Sequence, residues 1–199
     1  PSPLPRRLPD LHRKEKGQQM TAAKKIVYLD MDDVIVDFMS GILAKSPEYP
    51  GKDIHSHDEN WDDIPGIFAL MKPVDGAIDA VKRLCASNKL DVYVLSTAPW
   101  ENATAWSDKL NWIKKHFDSE NPVDPDTKDN PLYKKLIISH NKHLNAGAFL
   151  IDDRYQNGAE DFGGFHVHFG PKNLEKRREG RFPNWDSVLK HFEELGLLD

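Results

Sequence analysis

The chain has a single cysteine, Cys85, so no intrachain disulfide is possible and a reducing cytoplasm is the expected home. No stretch approaches the roughly 18 consecutive apolar residues that a membrane-spanning helix needs. Basic residues are not in excess, and a formal charge of -5 argues against a general nucleic-acid binder. The shortage of cysteine also counts against zinc. His55, His57 and Asp58, and the pair His166 and His168 on one strand face, would have no thiolate partners. Repeats are absent. What remains is a chain of 199 residues, 39% hydrophobic and 30% charged, which suits one globular domain able to bury a core.

The opening stretch PSPLPRRLPDLHRKEKGQQM is rich in proline and arginine and lacks the apolar region of a secretory signal. Residues 1–23 are read as an arm outside the fold. The residues ahead of Met20 are taken as a leader before a start there, in preference to a disordered basic arm or a targeting peptide.

Four apolar runs read as buried strands: Ile26–Leu29, Val92–Leu95, Ala148–Ile151 and Phe165–Phe169, with Leu136–Ile138 as a shorter candidate. Helical spacing joins Ala77, Ile78, Val81, Leu84 and Cys85. It also joins Trp106, Leu110, Ile113 and Phe117, and then Trp185, Val188, Leu189, Phe192 and Leu195, with Gly196 as a C-cap. Strands alternating with helices predict a doubly wound α/β fold with a parallel sheet. The proline- and aromatic-containing segment 39–72 interrupts the alternation and is expected to be a small, mainly helical cap. The core is then 24–38 with 73–199.

Ligands of open α/β sheets bind at the carboxyl ends of the strands. Three predicted strands end in chemically useful residues: Asp30-Met31-Asp32, Ser96-Thr97 and Asp152-Asp153-Arg154. Lys109 and Lys142 supply positive charge nearby. Crowded carboxylates are costly unless a cation relieves them. Mg²⁺ takes hard oxygen ligands and is commonly held by one or two carboxylates together with a substrate phosphate. Asp30, with Asp152 or Asp153, suits that role. Asp30 is placed to attack phosphorus, Asp32 to exchange protons, and Thr97 with a lysine to hold phosphoryl oxygens.

DMDDV at 30–34, VLSTAP at 94–99, Lys109 within WSDKLNWIKKHF and FLIDDR at 149–154 resemble, in order, the motifs of haloacid dehalogenase-like phosphatases. DMDDVIVDF and MKPVDGAIDAVKRL narrow the resemblance to the 5'(3')-deoxyribonucleotidases. The resemblance implies an Mg²⁺-dependent phosphomonoesterase with a small helical cap. By motif, Asp30 is the nucleophile, and Asp32 is the acid/base with its carbonyl on the metal. Thr97, Lys109 and Lys142 lie on the phosphate side, Asp152 and Asp153 complete the metal site, and Phe38 borders the substrate. Asp33 departs from the pattern, which commonly has glycine there.

Trp61, Phe68 and Trp100 are aromatic faces able to stack on a base, although packing is the plainer reading of each. Phe68 joins Phe38 as a candidate substrate wall. Asp33 and Asp37 are read as solvent-facing or structural, the run Lys172 to Arg181 as a solvated loop, and Cys85 as inert core. The expected partner is a nucleoside monophosphate, with a sugar phosphate or another small phosphomonoester as the alternative. A phosphoryl-accepting receiver module would put its adjacent acidic pair first and its accepting Asp on a middle strand. Here the order is reversed, and a non-catalytic phosphate-binding role is the weaker remaining reading.

Overall fold

The computed structural model describes residues 23–119, 129–170 and 182–198. The expectations for the N-terminal arm and for the basic run 172–181 fall outside these residues, except for Ala23. Strand β1 (Lys25–Leu29) pairs in parallel with β4 (Leu90–Ser96) on one side and β6 (Phe149–Asp152) on the other. Strands β5 (Leu136–Ile138) and β7 (Phe165–His168) form the edges, giving the order β5-β4-β1-β6-β7. Two antiparallel residue pairs join the short strands β2 (Val36–Asp37) and β3 (Lys72–Pro73). The helices are α1 (Phe38–Lys45), α2 (Ala77–Ala86), α3 (Thr104–Phe117) and α4 (Trp185–Glu194).

The strand residues alternate between two apolar layers because successive side chains leave opposite faces of a sheet. Val27, Leu29, Val92, Val94, Phe149 and Ile151 join the larger core with residues of α2, α3 and α4. Tyr28, Leu95 and Leu150 point the other way and are covered by Ala159 and Phe162. This is a doubly wound α/β sheet. The chain runs from β1 through β4 to β5 and then jumps back across β1 to β6. The crevice at the end of β1 is therefore a topological switch point, where such sheets bind ligands.

Two buried indoles pin loops over that crevice. Trp185 donates Nε1–H to the Val34 carbonyl at 2.9 Å, and Trp112 donates to the Met71 carbonyl at 2.8 Å. Residues 38–70 contribute α1 and four short 3-10 turns rather than long helices. Asp37 caps α1 by accepting from the Ser40 amide, which gives that carboxylate a structural task.

The helix expected to bury Trp106, Leu110, Ile113 and Phe117 is turned about its axis. Ala105, Lys109, Trp112, Ile113 and Phe117 face inward, whereas Trp106 and Leu110 are exposed. A pattern that scores only apolar residues cannot register a lysine that faces inward and pairs with a carboxylate. Leu195, expected on the buried face of α4, lies beyond the last turn and is exposed.

Cys85 packs half-buried against the core, and burial pushes its thiol up to about 11. Such a thiol is about one-thousandth ionised at pH 8, against about one-quarter for an ordinary cysteine. A disulfide reagent at pH 8 should therefore label the native protein about a hundredfold more slowly than the urea-unfolded chain. Equal rates would show that Cys85 is not held in the core.

Candidate active site

Because β1, β4 and β6 run parallel and in register, their carboxyl ends deliver Asp30, Thr97 and Asp152 to one edge. Asp30 is buried, and its amide donates to the Ile151 carbonyl at 2.9 Å, which fixes the turn out of β1. Asp152 and Asp153 are fully buried. One oxygen from each of Asp30, Asp152 and Asp153 lies within 4.8 Å of the other two.

Two buried lysines answer this charge. Lys142 Nζ lies 3.1 Å from Asp30 Oδ1 and hydrogen-bonds Asp152 Oδ2. Lys109, 0% exposed, donates to Asp32 Oδ2 at 2.7 Å and to Ser96 Oγ at 3.1 Å, and sits over the Phe68 ring at 4.5 Å. Lys142 stays charged: burial lowers its pKa, but Asp30 and Asp152 together raise it above the ordinary lysine value.

The carboxylates are driven apart. For Asp30 burial opposes ionisation, but Lys142 and Lys109 outweigh it and hold the group below the usual carboxylate range. Asp32 is pushed up by burial and by the Asp30 charge, with Lys109 opposing. Burial and Asp30 raise Asp152 to about 6 against the pull of Lys142. Neighbouring carboxylates pushed in opposite directions suit separate nucleophilic and proton-transfer roles.

A cleft of about 1350 Å³ opens above this cluster. Asp32, Thr97, Phe38, Phe68, Trp61 and Arg154 line it. Asp30, Lys109, Lys142, Asp152 and Asp153 are buried and do not line it themselves; Asp32, bonded to Lys109, joins them to it. Thr97 faces the cleft, while the Ser96 hydroxyl is taken by Lys109. Trp100 is 86% exposed and outside the cleft. Each strand histidine turns a ring nitrogen to a backbone carbonyl, His166 to Asp152 and His168 to Asp153, both at 3.1 Å, and neither belongs to the acidic trio found among the described residues.

The donor set fits a hard cation. Asp32 Oδ1 is buried without a hydrogen bond, and Asp30 Oδ1 has only the ion-pair contact with Lys142, not a hydrogen bond of good geometry. Buried oxygens rarely go unsatisfied, and hard oxygen ligands without sulfur exclude a soft-metal site.

In the sequence Arg154 is marked only by following the acidic pair. Its guanidinium lies 3.5 Å from Asp153 and 3.7 Å from Asp33 at the cleft wall. Asp33 has φ 57°. This left-handed region costs glycine nothing and is tolerated by aspartate, which accounts for the preference for glycine at this place. Asn102, another residue without a sequence signal, is completely buried beneath the cleft wall.

A doubly wound sheet carrying D-x-D after its first strand, a hydroxyl after the next, buried lysines and a late acidic pair defines a haloacid dehalogenase-like phosphatase. Residues 24–192 match the family described as 5' nucleotidase, deoxy (pyrimidine), cytosolic type C protein, and the chain belongs to it, as a phosphoric monoester hydrolase. A candidate 5'(3')-deoxyribonucleotidase of Vibrio phage KVP40 is 42% identical over 172 residues, 84% of each chain. The 5'(3')-deoxyribonucleotidase of Bacillus subtilis is 25% identical over 181 residues, covering 83% of this chain and 96% of its own. A solved hydrolase of the haloacid dehalogenase family from Deinococcus radiodurans superposes with a TM-score of 0.48 at 12% identity, over 89% of this chain and 99% of its own. Among the described residues no helix is long and apolar enough to cross a membrane.

Proposed function

We propose that the chain is an Mg²⁺-dependent 5'-nucleotidase that hydrolyses (deoxy)nucleoside monophosphates through an aspartyl-phosphate on Asp30. The observation that carries this is the buried trio Asp30, Asp152 and Asp153, whose oxygens converge within 4.8 Å. The deoxyribonucleotidase names of the relatives support the substrate class.

Asp30, Asp152, Asp153 and the Asp32 carbonyl would hold the cation. When bound, Mg²⁺ neutralises the carboxylates and draws charge from the phosphoryl oxygens. Asp30, kept ionised by its lysines, attacks phosphorus as the bond to the sugar oxygen breaks. Asp32, whose raised pKa lets it carry a proton, protonates that leaving oxygen. In the second half Asp32 takes a proton from water as the water attacks phosphorus, the bond from phosphorus to Asp30 breaks, and phosphate is released. Thr97 and Lys109 hold the phosphoryl oxygens as charge shifts. Residues 39–72 act as the cap, with Phe38 and Phe68, whose ring centroids are 5.9 Å apart, as the apolar wall for sugar and base.

The test is phosphate release from ribo- and deoxynucleoside monophosphates and from several sugar phosphates, with Mg²⁺ and with chelator. Chelator-sensitive release, fastest from a nucleoside monophosphate, is expected. A sugar phosphate as the best substrate, or turnover indifferent to chelator, would overturn the reading.

A further inference from the structure

We propose that Asn102 is a positioning residue that sets substrate selectivity by clamping the far wall of the cleft. The inference rests on the nucleotidase reading and deepens it.

Asn102 follows β4 in the loop leading to α3, and it is 0% exposed. Both hydrogens of its amide group are used, and its oxygen shares the Thr104 hydroxyl proton with Asp108 Oδ2, 3.0 Å from that hydroxyl. Nδ2 donates to the carbonyls of Asp62 and Ile64, each at 2.9 Å. Oδ1 accepts from the amide of Thr104 at 3.1 Å and from its hydroxyl at 2.8 Å. Thr104 Oγ1 in turn accepts from the Gly66 amide at 2.8 Å. One loop of the sheet domain thus holds residues 62, 64 and 66 of the overlying segment by three bonds to main-chain atoms.

The clamped stretch is the cleft wall. Asn60, Trp61 and Asp62 line the same cavity as Asp32 and Thr97. The stretch turns through two left-handed residues: Gly66, at φ 80°, takes that conformation freely, whereas Asn60, at φ 42°, holds it as a non-glycine residue. A carbonyl has no proton to donate, so two carbonyls side by side need a donor pair between them. A carboxamide supplies both hydrogens from one atom, whereas alanine, serine or aspartate cannot.

A phosphate bound at the strand ends is read by Thr97 and Lys109, neither of which bonds Asn102. The part of a substrate that reaches Asn60, Trp61 and Asp62 is whatever lies beyond the phosphate. For a nucleoside monophosphate that part is the base. For a compact aryl phosphate it is nearly nothing. Loss of the clamp should therefore cost binding of the nucleoside portion and leave phosphate chemistry in place.

The experiment compares wild type, Asn102→Ala and Thr104→Val on a panel of deoxynucleoside monophosphates and on p-nitrophenyl phosphate, each with Mg²⁺ titration. Asn102→Ala is expected to raise KM for the nucleotides by roughly tenfold or more, with p-nitrophenyl phosphate turnover and the Mg²⁺ half-saturation unchanged within about twofold. Thr104→Val, which removes the hydroxyl's bonds to Gly66, Asn102 Oδ1 and Asp108 but neither Nδ2 bond, should shift the same ratio less, and it carries the test alone if Asn102→Ala does not fold. A parallel loss on both substrates, or retention of wild-type selectivity in the folded variants, would overturn the inference alone. If wild type itself shows no preference for nucleotides over p-nitrophenyl phosphate, the nucleotidase reading fails and the inference goes with it.

Discussion

Asp30→Asn is expected to lower phosphate release by at least about 10⁴-fold while leaving the protein folded and at most modestly less stable than wild type. The amide matches the carboxylate in shape and keeps the main-chain bond from residue 30 to the Ile151 carbonyl. It cannot, however, attack phosphorus. Stability should fall only modestly: the fold holds Asp30 ionised through its lysines, so that attraction is lost, but three carboxylates crowd within 4.8 Å and Lys142 serves two of them. Removing one negative charge relieves that repulsion, and Lys142 keeps its bond to Asp152. Activity assays and thermal melts on the same preparation separate the two effects. Residual turnover within about tenfold of wild type would rule out Asp30 as the nucleophile. A collapse in melting temperature would mean that Asp30 is chiefly a structural partner of Lys142.

The second large effect is expected at Lys109. Lys109→Met keeps the apolar stem and its contact with Phe68 but removes the charge beside Asp32. Loss of one preorganised hydrogen-bond donor typically costs about 10²–10³-fold in rate, and Lys109 also holds Asp32, the proposed proton-transfer residue. A fall in kcat/KM of about 10³-fold, equivalent to about 4 kcal/mol, is expected. The stability cost should be below the roughly 3–5 kcal/mol of a fully buried orphaned charge. Asp32 lines the cleft, with 15% of its side chain exposed, so water can reach it. Urea unfolding checks the stability and steady-state kinetics the activity. Unchanged kcat/KM would show that Lys109 only fills space.

Arginine would not replace Lys109, whose ammonium sits 2.7 Å from Asp32 and 4.5 Å from the Phe68 ring centre inside a closed packing layer. A planar guanidinium has more volume and a fixed fork, so it would displace the ring that borders the cleft. The same contact explains why Phe68 is both core and wall: it is 2% exposed yet lines the cavity.

Much of this molecule is determined by local sequence. The apolar runs at 26–29, 92–95 and 148–151 are long and pure enough to be buried strands. A parallel sheet then leaves only one edge for the residues that follow them, so Asp30, Asp32, Thr97, Asp152 and Asp153 are legible as neighbours before any coordinates. What tertiary structure decided is which polar groups go inside. Apolar spacing put Trp106 and Leu110 in the core. The ion pair with Asp32 at the cleft instead goes with an α3 turned so that Lys109 faces inward and those two residues face solvent. Asn102 gives no signal because its partners are main-chain carbonyls near residue 62, which any sequence supplies. The left-handed turn at Asp33 is equally silent until its φ is seen. Periodicity records how much apolar surface a segment must hide. Where a lysine, a carboxamide or a carboxylate is buried, its place is set by the partners that satisfy it, and the fold brings those from distant parts of the chain.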